Sequence, residues 1–110
     1  MRLVVVLSVA FTLLAFSAKS NANDFYQIPL PADAQEFARL DNKMPAVLSF
    51  FSQQSESALR DYFIQQLGQP GMTQQHYGRE HLYFTVSGNR VRILISSRDD
   101  WRQVDIMVQN

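Results

Sequence analysis

Cysteine is absent from this 110-residue chain, so disulfide staples and the lipid-modified cysteine of a bacterial lipoprotein are both excluded. Net charge is absent too, 10 basic residues balancing 10 acidic ones. No charge excess therefore draws the chain to nucleic acid or to an anionic lipid surface. No apolar run reaches the roughly twenty residues that span a bilayer, the long one covering fourteen positions, 3–16. No Gly-x-Ser-x-Gly elbow presents a nucleophile, and there is no internal repeat or low-complexity run. Glycine and proline number only 4 each, so most of them read as punctuation between elements.

What is present starts with Met1-Arg2, the apolar run and then small residues, the pattern of a signal peptide. Ser20 and Ala22 fit the −3 and −1 positions for cleavage after Ala22; Ala18 and Ser20 offer a second site. The expected organisation is a signal peptide over residues 1–22, an extended Pro-containing segment over 23–34 and a single domain over 35–110. The mature chain has 88 residues, enough for one small core; without Arg2 and Lys19 it carries 8 basic against 10 acidic residues, a formal charge of −2. A disulfide-free exported domain fits a Gram-negative periplasm better than a small eukaryotic secreted module, which usually needs staples. The expected location is periplasmic or secreted, with no stable membrane anchor after cleavage.

In residues 28–31 the alternating prolines of Ile28-Pro29-Leu30-Pro31 remove backbone donors and favour an extended path, read as a tether or edge brace. Residues 35–40 read as a short strand, 41–43 as a turn and 45–52 as a second strand. That second strand is apolar on both faces, with Ala46, Leu48 and Phe50 on one and Val47 and Phe51 on the other, which puts it inside a sheet. Residues 55–67 form the one convincing helix: Ser55 caps it, Glu56 sits in its positive first turn, and Gly68 and Pro70 end it. Leu59, Tyr62, Phe63 and Leu67 make one apolar stripe, and Glu56 and Arg60 stand at ion-pair spacing. Residues 69–80 read as a connection whose second half extends the next strand, with Gly78 as a bulge or kink.

Residues 81–109 read as a three-stranded antiparallel meander. A type II′ turn at Gly88-Asn89 pairs Val86 with Val91, Phe84 with Ile93 and Leu82 with Ile95. A second turn at Asp99-Asp100 pairs Ile95 with Val104, Ile93 with Ile106 and Val91 with Val108. One face is thus apolar across all three strands, and the helix stripe packs on it. The opposite face carries Tyr83, Arg92, Leu94, Trp101 and Met107, a mixture of arginine and large apolar groups typical of binding hot spots. Those five are the candidate partner-binding residues.

The expected fold is α+β, one helix on an antiparallel sheet in the order β-β-α-β-β-β. The opening Pro29-Leu30-Pro31-Ala32-Asp33-Ala34, the helix over 55–67 and the C-terminal meander resemble small exported bacterial α+β domains of unknown function. Those domains often carry Gly-Trp after the helix, where this chain has Gly71-Met72, and the resemblance implies the fold without an activity.

Chemical constellations are weak by comparison. His76 and His81 are five apart, which in a continuous strand sets them on opposite faces, and no third ligand stands at metal-binding spacing. Asp99 and Asp100 read as turn formers, and Arg90, Arg92, Arg98 and Arg102 as a modest basic cluster. The expected function is binding without catalysis or cofactor, with an envelope protein as the partner. The alternatives are a carrier of small apolar ligands, with its cavity between helix and sheet beside Phe50, Phe51, Tyr62, Phe63 and Phe84, and, less favoured, an envelope hydrolase.

Overall fold

A computed structural model of the chain describes residues 24–76 and 78–110; the expected signal peptide and both cleavage sites lie outside the described residues. Strands β1 (Asp24–Phe25) and β2 (Ile28–Pro29) form a small hairpin. A six-stranded sheet contains β3 (Gln35–Leu40), β4 (Ala46–Ser52), β5 (Met72–His76), β6 (Arg79–Val86), β7 (Asn89–Arg98) and β8 (Trp101–Gln109), and helix α1 (Glu56–Leu67) joins β4 to β5. The spatial order is β3-β4-β8-β7-β6-β5, and every neighbouring pair is antiparallel. The class is α+β as the sequence implies, with β4 inside the sheet, but the stretch after the helix holds one strand more than expected. Gly78, at φ 75°, lies between β5 and β6 and lets the chain double back there instead of merely kinking.

The meander's register differs from the expected one in one hairpin and agrees in the other. β7 and β8 pair Ile95 with Val104, Ile93 with Ile106 and Val91 with Val108, as the Asp99-Asp100 turn requires. Between β6 and β7 the two turn residues are Ser87 and Gly88, so Phe84 faces Val91 and Leu82 faces Ile93. The expected Gly88-Asn89 turn is therefore displaced by one residue and its pairs by two. Ser87 at φ 51° and Gly88 at φ 85° give the two positive values of a type I′ turn, whose twist suits a hairpin. The Ser87 hydroxyl donates to Gln27 Oε1 at the tip of the N-terminal hairpin. A shift of two keeps every side chain on its own face, which is why the apolar face survives the error.

That face is the core. Leu48, Phe50, Leu82, Ile93, Ile95, Val104, Ile106 and Val108 are all fully buried on it. Leu59 and Phe63 of α1 bury against them while Tyr62 and Leu67 pack at the margin, which is the helical stripe read from the sequence. Ser55 Oγ accepts the Ala58 N–H at 3.1 Å, and Gly68, at φ 92°, donates to the Ile64 carbonyl at 2.8 Å.

The described part of the N-terminal segment, residues 24–34, is not a tether or an edge brace. Its hairpin inserts Phe25 and Ile28 into the same core, with β2 against α1, because one helix is too narrow to cover six strands. Asp33 then anchors the start of the helix region, accepting from Ser52 Oγ, the Gln53 N–H and Gln54 Nε2 at 2.9–3.0 Å. Burial works against its charged form, but these donors outweigh it and hold the carboxyl below its usual range. Arg102 completes this corner by donating to the Gln54 carbonyl at 3.2 Å.

Arg60 does not pair with Glu56 as its spacing implies. It reaches across to the buried Glu80 of β6, Nη1 standing 2.9 and 3.2 Å from the two carboxylate oxygens. The tertiary partner wins because Glu80 is only 6% exposed and cannot be left without a donor.

Two outcomes follow. Phe63→Ala is expected to lower unfolding free energy by about 3–5 kcal/mol, a large part of a small domain's stability, read from urea unfolding. Arg60→Met is expected to cost on the order of 2–3 kcal/mol by stranding the Glu80 carboxylate. Adding Glu80→Met is expected to recover most of that loss, and additive losses in the double variant would contradict the pairing.

Candidate binding face on the open side of the sheet

The pleat sends alternate residues of all six strands to the side away from α1, and among the described residues no element packs on that side. Registers align the face into rows that cross the strands. One row runs Leu40, Val47, Met107, Arg92, Tyr83, Met72 from edge to edge. The next runs Ala38, Ser49, Asp105, Leu94, His81, Gln74. A third contains Phe51, Gln103, Ser96, Arg79 and His76.

Tyr83, Arg92 and Met107 are thus direct cross-strand neighbours, and Leu94 lies in the adjoining row. Arg92 Nη2 touches Met107 Sδ at 3.9 Å. Trp101 does not join this group. It sits at the far end of β8, edge-on to Phe51 with ring centroids 6.1 Å apart, and Phe51 in turn stacks on Phe37 at 4.4 Å. The face therefore has two apolar zones: an aromatic ladder of Phe37, Phe51 and Trp101, and the row through Met107, Tyr83 and Met72. Phe37, Leu40 and Met72 are 50%, 67% and 49% exposed. None of those three was a sequence candidate. The alternation in residues 45–52 already put Val47 and Phe51 on a second apolar face, but nothing local fixed β4 beside β8.

Charge on this face is mostly positive. Arg79, Arg90, Arg92 and Arg98 project there, and among the described residues none of them pairs with an Asp or Glu. Arg102 of the expected cluster is on the opposite side, at the helix corner. The acid inside the face, Asp105, is occupied by hydrogen bonds from Ser49 Oγ at 2.5 Å and from Gln103 Nε2 at 3.2 Å.

His76 and His81 share this face, contrary to the opposite-face expectation, because the turn at Gly78 lies between them. Their rings meet edge to face with centroids 5.6 Å apart. Among the described residues the buried His81 Nδ1 has no hydrogen-bond partner, so none of them accepts a proton placed there. Burial first, then the charges of Arg92, His76 and Arg79, push the His81 pKa below its ordinary value of 6.5. Among the described residues no three His, Cys, Asp or Glu side chains form a metal-holding group.

A groove of about 530 Å³ opens on the same face, bordered by Met72, Tyr83, Thr85, Arg90, Arg92 and Met107. It is on the other side of the sheet from the helix-sheet cavity that a ligand carrier was expected to have; there Phe50, Phe63 and Phe84 fill the core. No described helix is long and apolar enough to cross a membrane. The chain matches no protein-family model, no curated protein and no solved structure.

His81 gives this face a pH dependence with a defined sign. The unfolded imidazole titrates near 6.5 and the folded one below it, so between the two the unfolded chain binds more protons. The stability His81 contributes is complete above pH 6.5 and is lost as pH falls through the folded value. Unfolding free energy measured from pH 7.5 to pH 5 is expected to fall more steeply for the native protein than for His81→Gln; equal slopes would contradict the shift.

Proposed function

We propose that the chain is an exported cell-envelope protein that acts by binding, and that the open face of its sheet docks a protein partner in the periplasm. The observation that carries this is the composition of the face across its whole width: exposed large apolar groups from Leu40 to Met72, an aromatic ladder and arginines that pair with no Asp or Glu among the described residues. An antiparallel sheet with one face on a core ordinarily turns a polar face to water. Arginine, tyrosine, tryptophan and methionine are the residues enriched where protein surfaces meet, and their clustering marks hot spots. The signal peptide expected over residues 1–22 supports the envelope location. Tyr83, Arg92, Leu94 and Met107 form the centre of the docking surface, and Trp101 with Phe51 and Phe37 forms a second anchor at its end.

The reading is tested by placing a photo-crosslinking amino acid at Leu94 or Trp101, with Gln65 on the exposed side of α1 as control, and irradiating the protein in its native envelope. One adduct of the same mass is expected from Leu94 and Trp101 and not from Gln65, and Arg92→Glu is expected to reduce it about tenfold or more, as losing a hot-spot arginine does. Adducts at Gln65 alone, or adducts indifferent to Arg92→Glu, would falsify the reading.

A further inference from the structure

The groove beside Tyr83 combines three features that a flat docking surface does not need. It is concave, and its volume of about 530 Å³ falls within the range of roughly 300–1,000 Å³ typical of small-molecule sites. Its apolar part lies in one cross-strand row, Met72 beside Tyr83 and Met107 beyond Arg92. Its cationic part has no acidic side chain beside it. Arg90 and Arg92 are alternate residues of β7 and so stand side by side on this face, and neither pairs with an Asp or Glu among the described residues.

The contacts these two arginines do make are weak. Arg90 Nη2 reaches a main-chain oxygen of Asn110, the C-terminal residue of the described chain, at 3.4 Å, and Arg92 Nη2 reaches the Met107 sulfur at 3.9 Å. A guanidinium is a rigid fork of donors matched to the two oxygens of a carboxylate, and no Asp or Glu side chain borders the groove. Across the strand from Arg90 stands Thr85, exposed and uncharged, so the mouth of the groove carries no acid that would repel an anion.

The alternative occupant, a cation, fits badly. His76 and His81 lie on the same face, but Arg79 and Arg92 raise the local positive potential, and thioether sulfurs are the only soft donors nearby. The balanced charge of the whole chain hides this asymmetry, because the acids that cancel the arginines, such as Asp33, Glu36 and Glu80, are spread over other parts of the molecule.

From this arrangement we infer that the groove binds a single-chain amphiphile with a carboxylate head, the head held between Arg90 and Arg92 and the apolar chain lying over Tyr83, Met72 and Met107. This site goes beyond the protein-docking reading but overlaps it: the groove shares Tyr83, Arg92 and Met107 with the docking surface, whereas Leu94, Phe51 and Trp101 do not border it.

The methionine methyl groups provide a direct test. In protein labelled with ¹³C at the methionine methyls, dodecanoate below its micellar concentration is expected to shift Met72 and Met107 saturably and to leave Met44, which packs against the helix-side core, unmoved. Dodecanol and dodecyltrimethylammonium are expected to bind at least about tenfold more weakly, the loss that goes with one charge-assisted hydrogen bond. Thr85→Glu, which supplies Arg90 with an internal carboxylate at an exposed position, and Arg90→Gln/Arg92→Gln are expected to weaken dodecanoate about as much while leaving the thermal midpoint within a few degrees. Equal affinity for dodecanol, shifts shared by Met44, tighter binding of dodecyl phosphate than of dodecanoate, or no saturable shift at all would each overturn the inference. An amphiphile-negative protein that still crosslinks a partner through Leu94 would overturn this inference alone.

Discussion

One helix and one short hairpin must cover one face of a six-stranded sheet, and nearly every other feature follows from that shortage of covering material. The twelve residues of α1 supply only two fully buried side chains, Leu59 and Phe63, which leaves part of the core face to Phe25 and Ile28. The Pro-containing N-terminal stretch is therefore core and not leader to the core. Its position is held by contacts that are distant in sequence: the Gln27–Ser87 hydrogen bond joins the tips of two hairpins, and Asp33 fastens the exit of β4 to the entry of α1. With both coverings used on one side, nothing among the described residues remains for the other.

The Arg60–Glu80 pair shows how the layers are registered. Local spacing offers Arg60 an exposed partner worth a few tenths of a kcal/mol, but Glu80 on β6 is desolvated by the packing of the helix and needs a donor. A buried carboxylate without one costs several times as much, so the helix face turns its arginine toward the sheet. The contact ties α1 to the strand that also carries His81 and Tyr83 to the opposite surface. Core side and binding side thus alternate along a single strand, and a change that moves β6 changes both.

On the open face the same alternation brings together groups that are far apart in the chain. Met72 and Tyr83 come from the added hairpin, Arg90 and Arg92 from the centre of the meander, and Met107 from the last strand. Antiparallel registers place them in adjoining rows; the acid of the face, Asp105, stands opposite Leu94 and takes hydrogen bonds from Ser49 and Gln103. The resulting potential disfavours protonation of His81 and favours an anionic visitor. For His81 burial comes first and the charges of Arg92, His76 and Arg79 add to it; for an anion the local arginines are the attraction.

Local chemistry in the sequence determined the helix and five of the strands, and with them the class of fold. The Ser55 cap and the Leu59, Tyr62, Phe63, Leu67 stripe specified α1 to within a residue, and strict alternation in residues 82–108 specified which side chains share the core. Period two is robust, so even a turn displaced from Gly88-Asn89 to Ser87-Gly88 left every residue on its face, and Tyr83, Arg92, Leu94 and Met107 were legible as surface candidates. Partners in space were not legible. Whether Gly78 kinks a strand or reverses it depends on β5 finding β6, and that reversal decides that His76 and His81 stand together and that Met72 borders Tyr83. Likewise Phe37, Leu40 and Phe51 joined the face only because β4 settled beside β8, a pairing between residues some 50–60 positions apart. Periodicity is a property of neighbours along the chain, whereas the groove and the charge of the face depend on which strands become neighbours in the sheet, and that choice belongs to the burial of the whole core.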